Sequence, residues 1–128
     1  MDAVRLKGDW LGWLRFFLEG VEQTAQQAAD TAAHILKLFD EDRRKVEELG
    51  RKAGSTHLVL DLLRRHPMTT IPNAAAQLNL TAPTIRSAVE SLEALGIVQE
   101  ITGKQRDRIY IYDQYVRILD EGTEPLPR

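Results

Sequence analysis

Thr70-Ile71-Pro72 and Thr81-Ala82-Pro83 stand eleven residues apart, and this spacing limits the chain more than any other feature in it. A threonine hydroxyl can accept from a first-turn amide. Proline two positions later falls where a helix has no use for its missing N–H. Each tripeptide therefore predicts a helix start. Asn79 lies between them, and asparagine tolerates the left-handed conformation that ends a helix in a tight turn. The pattern predicts two short helices joined at Asn79-Leu80, the second running to Leu95 and stopped by Gly96. Small Ala75 suits the place where they approach closely, and Leu78, Leu80, Ile85, Ala88, Val89, Leu92 and Leu95 supply a shared core. Upstream, Leu58, Val59, Leu62 and Leu63 mark one face of a helix that Ser55 can cap and His66-Pro67 closes.

Downstream, residues 97–102 and 108–112 read as two strands around a polar tip from Gly103 to Asp107. The second alternates, with Ile109 and Ile111 on one face and Arg108, Tyr110 and Tyr112 on the other. A short helix from Gln114 to Asp120 comes next, and Gly122 to Arg128 reads as a frayed tail. Three helices, a tight turn and a β-hairpin in this order predict a winged helix-turn-helix domain from about Ser55 to Leu119.

The first part of the chain obeys a different rule. From Leu11 an apolar residue recurs every three or four positions, through Leu14, Leu18, Val21, Ala25, Ala28, Ala32, Ile35 and Phe39 to Val46 and Leu49. Asp42 alone breaks the seam. One helix from Trp10 to Leu49, N-capped by Asp9, is the simplest reading, with Gly50 to Gly54 as the boundary to the winged helix. The fold class is thus mainly α with a small β-wing. Residues 1–54 form a long amphipathic helical segment, and residues 55–128 hold the winged helix and a short tail.

Trp10, Trp13, Phe16 and Phe17 crowd two tryptophans and two phenylalanines into eight residues. That much aromatic surface needs a partner. Trp10, Trp13, Leu14 and Phe17 share one helix face, and the small seam residues Ala25, Ala28 and Ala32 admit close approach of another helix. A homodimer through residues 9–40 is the expectation.

The net charge is −2, and 9 Lys/Arg against 10 Asp/Glu in residues 1–54 match 8 against 9 in residues 55–128. Neither half is basic, so binding to double-stranded DNA has to rest on local charge placement. The candidate contacts are Pro83, Thr84, Arg86 and Ser87 on the exposed start of the third helix of the winged helix, with Lys104, Arg106 and Arg108 on the wing. Arg86 can reach a base edge or a phosphate, and the wing cations can straddle the adjacent backbone. Glu90, Glu93, Glu100 and Asp107 offset them. A module that binds another protein and never touches DNA is the alternative.

No complete active site is visible. There is no cysteine, hence no thiolate metal site and no cysteine nucleophile. His34, His57 and His66 show no metal-ligand spacing, so no metal and no cofactor is expected. Asp40-Glu41-Asp42 is followed by Arg43-Arg44-Lys45, which predicts exposed helix ion pairs such as Asp40–Arg44, Glu41–Lys45 and Arg43–Glu47. Thr102-Gly103-Lys104 lacks the upstream glycine of a phosphate-binding loop. No apolar run reaches the roughly 20 residues of a membrane span, and residues 1–7 do not form a signal peptide, so a cytoplasmic location is expected.

Gly8 to Val21 (Gly-Asp-Trp-Leu-Gly-Trp-Leu-Arg-Phe-Phe-Leu-Glu-Gly-Val) and Thr102 to Tyr112 (Thr-Gly-Lys-Gln-Arg-Asp-Arg-Ile-Tyr-Ile-Tyr) resemble the C-terminal region of Fic-family proteins, and the likeness runs over nearly the whole chain. In that family a helical domain transfers AMP, or another phosphate-containing moiety, to a target hydroxyl. Its catalytic loop carries a His-Pro-Phe-x-x-Gly-Asn-Gly-Arg type motif. Here His66-Pro67 continues Met-Thr-Thr-Ile and lacks that motif. The resemblance implies a non-catalytic regulatory or targeting module of a Fic-type adenylyltransferase, with residues 9–21 packing on a Fic catalytic domain as partner, and no ATP binding or AMP transfer by this chain alone.

Overall fold

The structure, a computed structural model, describes residues 3–103 and 106–123. Helix α1 spans Ala3–Glu47, and a 3-10 turn at Gly50–Lys52 leads straight into α2, Ala53–Arg65. Strand β1 (Met68–Thr69) precedes α3 (Ile71–Leu78) and α4 (Ala82–Ala94). Strands β2 (Gln99–Glu100) and β3 (Tyr110–Ile111) form the wing, and α5 (Asp113–Thr123) completes the order. The architecture is mainly helical with a small antiparallel sheet, a winged helix-turn-helix preceded by a long helix.

Local chemistry explains the middle elements. Thr70 and Thr81 are extended N-caps whose side chains accept from the amides of Asn73 at 3.2 Å and Thr84 at 3.4 Å. Asn79 ends α3 in the left-handed region at φ 54°, and Gly96 leaves α4 at φ 76°. The sheet order is β1-β3-β2, both pairings antiparallel, with Met68 and Gln99 opposite Ile111 and Thr69 and Glu100 opposite Tyr110.

The core gathers Val59, Leu60, Leu62 and Leu63 of α2, Ala74 of α3, Ile85, Ala88, Val89 and Leu92 of α4, and Ile97 and Val98. Leu38 and Val46 of α1 join it, with Phe39 packed against it. On the sheet the tyrosines face inward: Tyr110 and Tyr112 are buried, and Ile109 and Ile111 are half-buried. Phe39, Tyr112 and Tyr115 form a ring cluster, with centroids 5.0 Å apart for Phe39–Tyr115 and 5.6 Å for Tyr112–Tyr115. Arg64 lies 4.9 Å above the Phe39 ring and donates to its carbonyl at 3.2 Å.

Several expectations are corrected here. Asp9 lies inside α1 and caps nothing, because the helix already begins at Ala3. Ser55 is likewise internal: the 3-10 turn supplies the start of α2, with Ala53 N–H bonded to the Gly50 carbonyl and no side-chain cap on Lys52. The fully buried small residue of α3 is Ala74, with Ala75 half-buried beside it. Gly122 belongs to α5 rather than to a tail. A Cβ at Gly122 would come within 2.6 Å of Thr31 Oγ1, so its bareness lets α5 lie against α1. Residues 124–128 of the expected tail lie outside the described residues.

The Asp40–Arg44 and Arg43–Glu47 pairs form at 3.0 and 3.8 Å. Asp42 does not follow the exposed pattern. It is buried, it accepts a hydrogen bond from Tyr112 Oη, and Lys45 Nζ lies 3.6 Å away in place of a Glu41 pairing. The break in the apolar seam is thus a buried polar contact between α1 and the sheet.

Candidate nucleic-acid interface

Helix α4 turns Ile85, Ala88, Val89 and Leu92 to the core, so the helical period leaves Ala82, Pro83, Arg86, Ser87 and Glu90 in solvent. Thr84 is half-buried, and its hydroxyl lies 2.8 Å from Thr81 Oγ1, which engages it in the cap. Of the helix residues expected to face a groove, Pro83, Arg86 and Ser87 are free to do so.

A cleft of about 510 Å³ separates α4 from the wing. Its cations are Arg86, Arg106 and Arg108, and its acids are Glu90, Glu93 and Asp107. Ile71, Pro72 and Tyr110 add apolar lining. The structure therefore brings Arg86 together with two of the three expected wing cations; Lys104 lies outside the described residues. Glu90 and Glu93, which in the sequence stand out only as offsetting charges, line the same cleft. Their spacing of four and seven residues from Arg86 is the signal that they share its helix face.

The wing is held open by one carboxylate. Glu100 accepts from the Gly103 amide at 2.9 Å and from Thr102 Oγ1 at 3.0 Å, and the Ile109 amide donates to Thr102 Oγ1 at 3.4 Å. Arg108 Nε lies 3.7 Å from Glu100, which steadies it at the base of the tip. These bonds, that of the Gly103 amide foremost, hold the Glu100 carboxyl below its ordinary value of 4.5. A lowered folded pKa means stability present above that value and lost as pH falls through the folded one. The Gly103 amide NMR signal is accordingly expected to titrate with a midpoint below 4.5, and Glu100→Gln to abolish the titration. A midpoint at or above that value would show that the bonds do not form.

Arg86, Arg106, Glu90 and Glu93 make no ion pair among the described residues. Elsewhere some surface charges pair, Arg43 with Asp40 at 2.9 Å, Arg64 with Asp61 at 3.1 Å and Arg117 with Asp113 at 3.0 Å, while Arg15, Lys37, Arg51 and Arg65 make no ion pair among the described residues. The three histidines sit apart on α1, on α2 and just after it, and no metal-holding group of His, Asp and Glu occurs among the described residues. No helix of the described residues is long and apolar enough to cross a membrane.

No family model matches the chain, and no curated protein sequence matches it. Solved structures do. AbfR of Staphylococcus epidermidis aligns over 85% of this chain and 79% of its own at 20% identity, with a TM-score of 0.45. Reduced AbfR bound to DNA aligns over 88% and 86% at 21% identity and the same TM-score of 0.45. A MarR family protein from Bacillus stearothermophilus aligns over 79% and 72% at 18% identity, TM-score 0.42. At such scores the likeness transfers no partner.

These structures are AbfR and a MarR family protein, not Fic proteins, no Fic family model matches, and the kinship expected from Gly8 to Val21 and Thr102 to Tyr112 is overturned. The residues explain how it arose. Thr102 and Gly103 serve the Glu100 turn, Tyr110 and Tyr112 fill the core, and the aromatic stripe is the apolar face of an amphipathic helix. With the kinship goes the Fic catalytic domain as partner of residues 9–21.

Proposed function

We propose that the protein is a DNA-binding winged-helix module acting in transcription regulation, paired as a two-fold dimer through residues 9–40. In this reading residues 1–54 carry the assembly arm and residues 55–128 the winged helix. Pro83, Arg86 and Ser87 approach a major groove, with Thr84 held in the cap beside them, while Lys104, Arg106 and Arg108 meet the flanking phosphates. It is a binding module rather than an enzyme, working in the cytoplasm. The observation that carries it is the α4–wing cleft, where Arg86 and Arg106, unpaired among the described residues, share one concave surface.

Fluorescence anisotropy against duplexes chosen from a random pool tests the reading. Arg86→Ala is expected to weaken a preferred duplex by about 1–3 kcal/mol, roughly 5- to 150-fold, and to relax preference at one position. Arg106→Ala should weaken all duplexes alike and flatten the log–log salt slope by about 0.9. The second reading, a protein-interaction surface, is favoured by the acids Glu90, Glu93 and Asp107 in the same cleft and by the net charge of −2. It gains if no duplex shifts an NMR signal of α4 or the wing at low salt.

A further inference from the structure

Glu90 is out of place on a surface that meets phosphates, and its position gives it a task. It stands four residues after Arg86 on the exposed side of α4, in the same cleft. Both are unpaired among the described residues, although helix residues four apart are spaced for an ion pair. Arg43 with Glu47 and Arg117 with Asp113 use that spacing for a pair, at 3.8 and 3.0 Å. On α4 the two heads make no such pair and face solvent in the cleft. Near phosphates a carboxylate is repelled, and it is tolerated only where a donor compensates it. In the major groove that donor is the amino group of cytosine, N4, while the complementary donor–acceptor match for arginine is the O6 and N7 edge of guanine.

We infer that Arg86 and Glu90 read sequence as a pair, Arg86 taking a guanine and Glu90 a cytosine within one DNA half-site. This rests on the DNA reading above and names its target class: duplexes with two G·C pairs close together. Four helix residues advance about 6 Å along the axis, and base pairs succeed one another at about 3.4 Å. The two heads thus address base pairs one or two steps apart. Glu93, three residues further along α4, sits higher toward the helix end and is left to face the wing.

Selection from a random duplex pool with the full chain, followed by sequencing, tests this. The wild type is expected to select G·C pairs at two positions one or two steps apart. Glu90→Ala should lose the cytosine preference at one of them, by about tenfold or more, and keep the guanine preference. Glu90→Gln should move that position toward adenine, whose N6 and N7 glutamine matches. Arg86→Ala should lose the other position alone. If Glu90 is only a solvated charge, Glu90→Ala strengthens binding to all duplexes equally and leaves the selected sequence as it was. That result overturns the inference and spares the DNA reading. If the wild type enriches no sequence and binds no duplex at low salt, both fall. Glu90 is exposed, so unchanged circular dichroism and melting of each variant confirm that folding is not the cause.

Discussion

Trp13→Asp combined with Phe17→Asp is expected to turn the proposed dimer into a monomer while the winged helix stays folded. Trp10 stacks on Trp13 with centroids 5.3 Å apart, and Trp13 on Phe17 at 5.5 Å, so the rings form a ladder along α1. No later part of the chain covers the ladder among the described residues: Trp13 is 54% exposed, Phe17 50% and Phe16 76%. The groove beside it continues past Gly20 and Val21 to Ala25 and Ala28, where small side chains admit a second helix. Covering one large apolar side chain is worth about 1.5–3 kcal/mol. A two-fold dimer buries each of the two rings twice, and aspartate replaces that gain with the desolvation of a carboxylate. The dissociation constant should rise on the order of a thousandfold or more. The core begins only at Leu38, so thermal melting of the winged helix should move little. Light scattering checks the mass. A wild type that is monomeric at high concentration, or a double variant that stays dimeric, would refute the assembly.

How far the residues reveal the fold depends on the range over which each acts. Thr70, Thr81, Asn79 and Gly96 are legible because each acts on amides or dihedrals within three residues of itself. Asp9 and Ser55 have the same capping chemistry and mislead. A cap works only where a helix begins, and α1 simply continues through Asp9 while the Gly50–Lys52 turn continues into Ser55. Strand β1 is invisible in the sequence: Met68–Thr69 is too short to show alternation, and its partner β3 lies some forty residues on. The inward face of β3 cannot be chosen from alternation alone, since both faces carry large side chains, and it is the tyrosines that turn inward. The exposed side of α4 is given by periodicity. That Arg106, Asp107 and Arg108 of the wing line one cleft with Arg86, Glu90 and Glu93 depends on tertiary packing that no local pattern encodes. Asp42 stands out as the break in a seam, but the group that makes its burial tolerable is 70 residues away.

That long-range contact carries the largest stability effect expected of a single hydroxyl. Tyr112 is fully buried and Asp42 is 1% exposed. Tyr112 Oη donates to Asp42 Oδ2, and Lys45 at 3.6 Å supplies the nearby cation. Tyr112 directly follows β3, and its amide donates to the Pro67 carbonyl at 2.8 Å, so this bond fastens α1 to the sheet. Tyr112→Phe removes the donor and strands a buried carboxylate, which is expected to cost about 2–4 kcal/mol. Asp42→Val removes the acceptor and strands a hydroxyl, costing about 1–3 kcal/mol. Replacing both leaves two apolar groups of similar shape facing each other and restores the apolar seam. The double variant should therefore be more stable than Tyr112→Phe alone, with a coupling of at least about 1.5 kcal/mol. Urea denaturation at constant m measures all four corners of the cycle. Burial first, and the Asp42 carboxylate second, push the Tyr112 phenol well above its ordinary value of 10.0. A raised folded pKa gives stability that is complete below the unfolded value and declines above it, by up to about 1.4 kcal/mol per pH unit. The wild type should therefore weaken more steeply above pH 10.0 than Tyr112→Phe does. Additive single losses would mean that the carboxylate and the phenol share no hydrogen bond and that packing alone holds α1 to the winged helix, and parallel alkaline slopes would mean that the phenol is not held out of water.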